Sequence, residues 1–484
     1  VCEVDLHTVR KSPLAQTLAV FTGEYFQNRA LFADYYLRDR LKDDAAWQDN
    51  PSGMFEFVRD LLKTAPADFS GKDKDVLRKG LLEPLFKKLG FKANVNRPSK
   101  SEQTQPDYLL KDANGAVVSA AFVYSWDRWL DGPDLHDQDT PEENPGACVV
   151  TALDQGQASW IIVTNGKLWR LYGRQAHARA TNFYEVDLVE ALSASGDTDP
   201  NEAFRYWWLF CRLEAFLPKA KAQECWLDAI LQGSRDYAKR LGDRLKDRIF
   251  LTIFPHLAQG FLEDRKQRLG KKTEPSEEEL ADIFEATLTL LYRLLFLLYA
   301  ESRDLLPIRE APYLAASLKK LKEEIAEKAG VAEADVPDHL KRAYSVTTTD
   351  FYDRLSRLFR AMDKGDPVLN VPTYNGGLFT TTPDKSERRE QHIARFLLEH
   401  KVPDRFLAMA IDRLSRDQDE RTLALGFIDY KSLEVRHLGS IYEGLLEFRL
   451  KVAEEDLTTQ ADKSSEKYIP LSRAKPKRGK QADV

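Results

Sequence analysis

Cysteine is scarce: the 484 residues contain four, Cys2, Cys148, Cys211 and Cys225. None forms a Cys-x-x-Cys pair or has a histidine at ligand spacing, which excludes a zinc module and a disulfide framework. A reducing cytoplasm is the expected compartment. Long apolar runs are also missing. The most apolar stretch, Leu294 to Ala300, falls far short of the roughly 20 residues that a membrane span requires, so no span and no membrane partner are expected. Nor does one sign of charge dominate: a net charge of -6 does not describe a protein that coats nucleic acid, although a basic face can sit within an acidic total. The N-terminus lacks the charged-then-apolar layout of a signal peptide. Its first residue is Val, which points to an alternative start codon or a fragment.

What is present is an ordinary globular composition, 43% hydrophobic and 31% charged, in a chain long enough for roughly two to four domains. From Ala15 to Lys63 apolar residues recur at helical spacing, interrupted at Asn50-Pro51-Ser52-Gly53. A further helix is expected from Asp75 to Leu89, ended by Gly90. Beyond it the pattern turns strand-like over Tyr108 to Leu110, Ala116 to Tyr124, Ser159 to Thr164 and Leu168 to Tyr172, with Asn-Gly turns at Asn114-Gly115 and Asn165-Gly166. Gly132 to Gly146 reads as an acidic, Pro-containing loop, and a new element begins near Ala147. After Asp187 the chain is almost wholly helical. Its end, from Lys467 to Lys480, carries six Lys or Arg and no further acid, which predicts a flexible basic tail.

The strand block has the layout of a metal-dependent nuclease core with its chemistry removed. In such a core, an Asp opening one strand and an acidic-x-Lys triplet on the next hold a divalent cation and steer a water onto a phosphate. Asp107 in Gln105-Pro106-Asp107-Tyr108 suits the first position, and Glu83 on the preceding helix could reach the metal or its water. The triplet position reads Phe122-Val123-Tyr124, so both the second carboxylate and the lysine are lost. The chemistry is expected to be dead. A ligand migrated to Asp127, or to Asp131, is the rescue under which the site would be a magnesium-dependent endonuclease. Asp127 reads more simply as a residue at a turn or helix start. The bland reading, that Asp107 caps a turn and Glu83 is a solvated helix residue, is favoured for Glu83 alone. For Asp107, Thr164-Asn165-Gly166 and Trp169 together the nuclease-like layout is favoured.

This block resembles the N-terminal region of type IIG restriction-modification proteins, in which a PD-(D/E)XK nuclease domain precedes a helical connector and an adenine methyltransferase. Three further segments carry the resemblance: Leu291 to Pro307, similar to that family's buried connector helix; Tyr374-Asn375-Gly376-Gly377-Leu378-Phe379, similar to its loop motif; and Ile428-Asp429-Tyr430-Lys431-Ser432-Leu433 followed by Arg436 to Glu447, which in the family stands shortly before the methyltransferase. No Asn-Pro-Pro-Tyr or Asp-Pro-Pro-Tyr motif and no glycine-rich loop for S-adenosylmethionine occurs, so this chain alone is not expected to methylate DNA. A layout kept without its nuclease triplet resembles the methyltransferases of DISARM-type phage-defence systems, with BREX-type ones as less similar neighbours.

The resemblance implies an α+β protein: an N-terminal helical segment (1–70), a degenerate PD-(D/E)XK-like mixed-sheet domain (71–200), a large all-helical connector domain (201–456) and a basic linker or tail (457–484). It implies double-stranded DNA as partner, a following methyltransferase domain, and other defence-system subunits. No cofactor or metal is expected in this chain; S-adenosylmethionine enters only with a methyltransferase domain, and magnesium only if the site cuts. Lys167 and Arg170 on the sheet, and Arg473, Lys475, Lys477, Arg478 and Lys480 in the tail, are the expected phosphate contacts. A module that recruits protein subunits and never touches DNA is the reading from another class. His437 is expected to pack or cap, and Gly376-Gly377 to be a turn.

Overall fold

The computed structural model describes residues 25–470, apart from 64, 97–104, 195–198, 200, 219–223, 271–273, 375, 420–421, 434, 446–449, 451–456 and 463–464. Two compact units meet in sequence between Tyr237 and Ala238. The fold is α+β, a sheet domain followed by a helical region.

The first unit is built on a seven-stranded mixed sheet. Its strands are β1 (Gln27–Asn28), β2 (Lys92–Val95), β3 (Tyr108–Lys111), β4 (Val117–Val123), β5 (Trp160–Thr164), β6 (Leu168–Gly173) and β7 (Tyr184–Asp187), in the spatial order β1-β7-β6-β5-β4-β3-β2. β2, β3 and β4 form an antiparallel meander, β5 lies parallel to β4, and β6 and β7 continue antiparallel. The β4–β5 pairing is parallel, so the chain must cross over between them. The helix Pro145–Asp154 makes that crossing, with Pro145 at its first turn and Asn144 accepting from the Gly146 and Ala147 N–H groups.

Alternation along β4 divides the interior. Ala121 and Val123 enter one core with Tyr108, Leu110, Ile162 and Trp169, under the helical segments. Ala120, Phe122 and Tyr124 enter the other with Ile161, Val163 and the Val149 and Leu153 side chains of the crossing helix. β5 is buried along its whole length, as an apolar run in the middle of a sheet should be.

The expected strands all form, within one or two residues, and the sheet gains β1, β2 and β7. The first core also reaches beyond residues 71–200. It takes in Phe26, Leu37 and Trp47 from before, and Phe204, Trp207 and Phe210 of the helix Glu202–Cys211 from after. The helical spacing of 203–211 is real, but its apolar face covers the sheet.

In the second unit helices predominate, with short antiparallel pairs at Arg416–Gln418 with Leu425–Phe427 and at Leu457–Asp462 with Ser465–Pro470. The last pair falls where a flexible tail was expected, and residues 471–484 lie outside the described ones. Among the described residues one helix, Glu277–Ser302, is long and apolar enough to cross a membrane. Two-thirds of its apolar window is buried, and its Arg293 and Glu301 are buried as well. The sequence expectation missed its length because Thr, Tyr and Arg punctuate the apolar run.

The Asn165–Gly166 turn fixes the β5–β6 hairpin to the helical layer. Gly166 has φ +89°, and a Cβ there would lie 2.8 Å from Leu77 Cδ1 and 3.1 Å from both Leu81 Cδ2 and Trp126 Cε3. Gly166→Ala therefore combines a strained backbone with overpacking. It is expected to lower stability by about 1–3 kcal/mol in a urea titration, without changing the denaturant dependence.

Candidate functional site

The helical stretch before the sheet begins at Asp73, whose side chain accepts from the Asp75 N–H, and runs through Lys74–Leu77, a wider turn Arg78–Leu82, and Glu83–Lys88. Leu77, Leu81, Leu82, Leu85 and Phe86 bury its inner face in the first core. That docking presents Lys74, Arg78 and Glu83 toward the start of β3.

Asp107 immediately precedes β3 and is 8% exposed. In the register that pairs Tyr108 with Ala121, strand alternation puts Asp107 on the face of Phe122 and Tyr124. Both of its oxygens are committed. Oδ2 accepts from the Val123 N–H at 2.8 Å, and Oδ1 lies 2.8 Å from Lys74 Nζ. An ammonium thus stands against the carboxylate where a metal ion would in an active core.

Glu83 does not join Asp107. It accepts from the Tyr108 hydroxyl at 3.2 Å, and Arg78 Nε donates to the same hydroxyl at 3.1 Å while its guanidinium stacks over the Tyr108 ring. Burial pushes the Tyr108 phenol up to about 12, with Arg78 opposing and Glu83 adding to the rise. Tyr108 points into the opposite core from Phe122, so the two expected remnants serve opposite faces. Among the described residues no group of three or more His, Cys, Asp or Glu is arranged to hold a metal. Asp107, with both oxygens engaged, does not fit magnesium by itself.

Tyr124 occupies the lysine position with its hydroxyl hydrogen-bonded to Glu143. Burial, then the Glu143 charge, holds this phenol protonated, and burial and Glu143 likewise push the Cys148 thiol up to about 12. Neither is a nucleophile at neutral pH. Asp127 is spent elsewhere: its Oδ2 accepts from Ser70 Oγ at 2.8 Å and from the Gly71 N–H at 3.0 Å.

The acidic loop is ordered around Arg128, which is 2% exposed. Its guanidinium donates to Asp137 Oδ2 and to the carbonyl oxygens of Trp129, Gly132, Thr140 and Glu143. The loop's carboxylates thus turn partly inward, and Glu143 is delivered to Tyr124.

Of the expected phosphate contacts, Arg170 is buried. Its guanidinium pairs with Glu185 and, at 2.6 Å, with Asp131, donates to the Leu130 carbonyl, and stacks on Phe183. It holds β6, β7 and the loop together and has no exposed face for a phosphate. Lys167 is half-buried beside Asp187 and Glu190, whose charges it offsets. Arg473, Lys475, Lys477, Arg478 and Lys480 lie outside the described residues.

No family model matches the chain, and no curated protein matches it. Among solved structures it is similar to the DrdV–DNA complex determined by cryoEM, at 13% identity and a TM-score of 0.21. The match covers 75% of this chain and 26% of the other, so this chain spans about a quarter of that one's length. At that TM-score the likeness carries no argument, and the reading rests on the residues.

Sequence reasoning missed Lys74, Arg128 and Glu143. Lys74 lies 33 positions before the carboxylate it neutralises, and nothing local marks the pairing. Arg128 had a weak signal, a cation next to a loop of six carboxylates.

The segments singled out in the second unit meet through one helix. Arg293 donates to the Leu378 carbonyl at 2.8 Å and the Thr380 carbonyl at 3.2 Å, next to Gly376-Gly377; Asn375 of that segment lies outside the described residues. Glu301 accepts from the Leu318 and Lys319 N–H groups and from Tyr313. Arg303 donates to the Lys431 and Leu433 carbonyls. His437 packs against Gly242.

Two outcomes are expected from this geometry. Asp107→Ala removes the acceptor of a buried N–H and the partner of Lys74, and should cost about 1–3 kcal/mol in chemical denaturation, while Asp107→Asn, which keeps the acceptor, costs less. Glu190 is pushed up to about 7, first by burial and then by Asp187. Its proton is held more tightly folded than unfolded, so stability falls as pH rises from its ordinary 4.5 through about 7. Glu190→Gln should therefore raise the urea midpoint above about pH 7 and leave it unchanged below 4.5.

Proposed function

We propose that this chain is a non-cleaving, DNA-engaging scaffold, the N-terminal region of a phage-defence DNA adenine methyltransferase of the restriction-modification kind. One observation carries the non-cleaving part: on the face Asp107 shares, Phe122 and Tyr124 fill the positions of the second carboxylate and the lysine, and Lys74 neutralises Asp107 from the neighbouring helix. A site with one carboxylate, already paired, lacks the oxygen ligands for a metal-bound hydroxide and the free cation that would stabilise a pentavalent phosphate. The displaced-carboxylate reading loses its residue, because Asp127 is bound to Ser70 and Gly71.

Engagement of duplex DNA, a methyltransferase domain that would bring S-adenosylmethionine, and partner subunits rest on the sequence resemblance. The reading that the acidic loop recruits proteins is supported by the exposure of Trp129 and Leu135 on it. It is weakened by the inward commitment of Asp137 and Glu143.

The test has two arms. Plasmid incubated with the protein and magnesium or manganese should stay uncut, and nicking that Asp107→Ala abolishes would overturn the reading. In filter binding, duplex DNA should be retained weakly at low salt and lost at moderate salt; no retention at any salt would transfer the assignment to protein recruitment.

A further inference from the structure

The second unit contains a cleft that the DNA reading does not use. It has a volume of about 310 Å³ and lies between the helices Phe254–Leu269, Glu277–Ser302 and Arg389–Glu399. A dry cavity of about 150 Å³ already admits a benzene ring, and ligand pockets start at about 300 Å³. The space is that of a small organic molecule.

Its floor is apolar and its walls are fixed. Phe261, Ile283 and Phe396 line the base, with Phe261 edge-on to Phe396 at 5.7 Å. His400 stacks on Phe396 at 4.0 Å and 13°, forming a flat aromatic platform. Two imidazoles face the cleft, each oriented by a carboxylate: His392 Nε2 lies 2.9 Å from Asp282 Oδ2, and His400 Nδ1 lies 3.2 Å from Asp264 Oδ2. A partnered ring nitrogen sets the tautomer and leaves the other nitrogen for a ligand. Neither His392 Nδ1 nor His400 Nε2 has a hydrogen-bond partner among the described residues.

The histidines are eight positions apart at one helix and its end, roughly 12 Å along the axis, which is too far for one ion to bridge. Charge selects further. The lining holds two arginines, Arg265 and Arg395, against Glu279, Asp282 and Glu399, a net -1 with both imidazoles neutral. Arg265 is locked on Glu279, and Arg395 donates to the Asp384 and Ser386 carbonyls, so neither is aimed at an incoming anion. Glu399 is exposed at the rim.

We propose that this cleft binds an uncharged, planar nitrogen heterocycle of nucleoside size. The ring stacks on the Phe396–His400 platform, His392 Nδ1 or His400 Nε2 hydrogen-bonds its edge, and Glu399 accepts from an amino group or hydroxyl. Phosphorylated forms are disfavoured by the carboxylates. This inference is independent of the DNA reading.

Adenosine and AMP are the probes, in calorimetric titration of the whole chain. Adenosine should bind saturably in the millimolar range or tighter, and AMP about tenfold more weakly, as a dianion beside an uncompensated carboxylate requires. Glu399→Lys, at an exposed position, makes the lining net positive and should reverse that order. His392→Ala, at a half-exposed position, should weaken adenosine about tenfold while leaving the ligand-free unfolding midpoint unchanged. No saturable adenosine binding, equal binding of AMP to the wild type, or adenosine affinity unchanged in His392→Ala would each overturn the proposal.

Discussion

A carboxylate at the mouth of a sheet has to be neutralised, and here the protein neutralises Asp107 with its own side chain. Lys74 and the Val123 N–H take one oxygen each. The same contact also ties three elements: the helical stretch that carries Lys74, the entrance to β3 and the end of β4. An active nuclease core would leave that carboxylate available to a metal and spend binding energy on holding it open. This sheet closes the site instead, and the rest follows from the closure. Phe122 can be apolar because no metal ligand is needed beside it, and Tyr124 can take up Glu143 because no phosphate charge needs a lysine there. Cutting chemistry is replaced by packing and by an ion pair, and both contribute to stability rather than to a transition state.

The loop that follows β4 obeys the same logic. Six acids between Asp131 and Glu143 would repel one another if left to solvent. Arg128 binds four loop carbonyls and Asp137 from one buried guanidinium, which orders the loop at the cost of desolvating an arginine. Arg170 does the corresponding work between β6, β7 and Asp131. Two arginines that a sequence reader would offer to DNA phosphates, or overlook, are therefore interior cross-links.

Local chemistry was legible in the sequence and distant pairing was not. β3 to β6 announced themselves because period-two apolar runs and Asn-Gly turns are encoded within a few residues, and Gly90 and Gly166 adopt the positive φ expected of them. β2, with Lys92 and Asn94, and the two-residue β1 lack such a pattern, being edge strands that owe their conformation to a neighbour. The helix Glu202–Cys211 was recognisable as a helix, yet its period says nothing about which core Phe204 and Trp207 enter. At the site, the loss of the triplet was readable from Phe122 and Tyr124. The ion pair that answers it was not, because Lys74 and Asp107 meet only in three dimensions.

The second unit shows why a resemblance can persist where chemistry is absent. Arg293 is buried without a carboxylate partner, held by two carbonyl oxygens and the faces of Phe359 and Phe379, and burial lowers its pKa to about 10. It stays charged at neutral pH, so its place in the interior depends on those carbonyls being where they are. Glu301 is subject to the same demand from the Leu318 and Lys319 N–H groups, and Arg303 from the segment around Lys431. A helix carrying three such residues fixes the loop at Gly377, the start of the helix Leu318–Ala329 and the turn at Tyr430–Ser432. Substituting any one segment would strand a buried polar group that costs several kcal/mol. These segments are therefore constrained together by architecture, whatever the sheet domain does. The resemblance they carry supports a connector and is silent on catalysis, and the site around Asp107 has to be judged from its own residues.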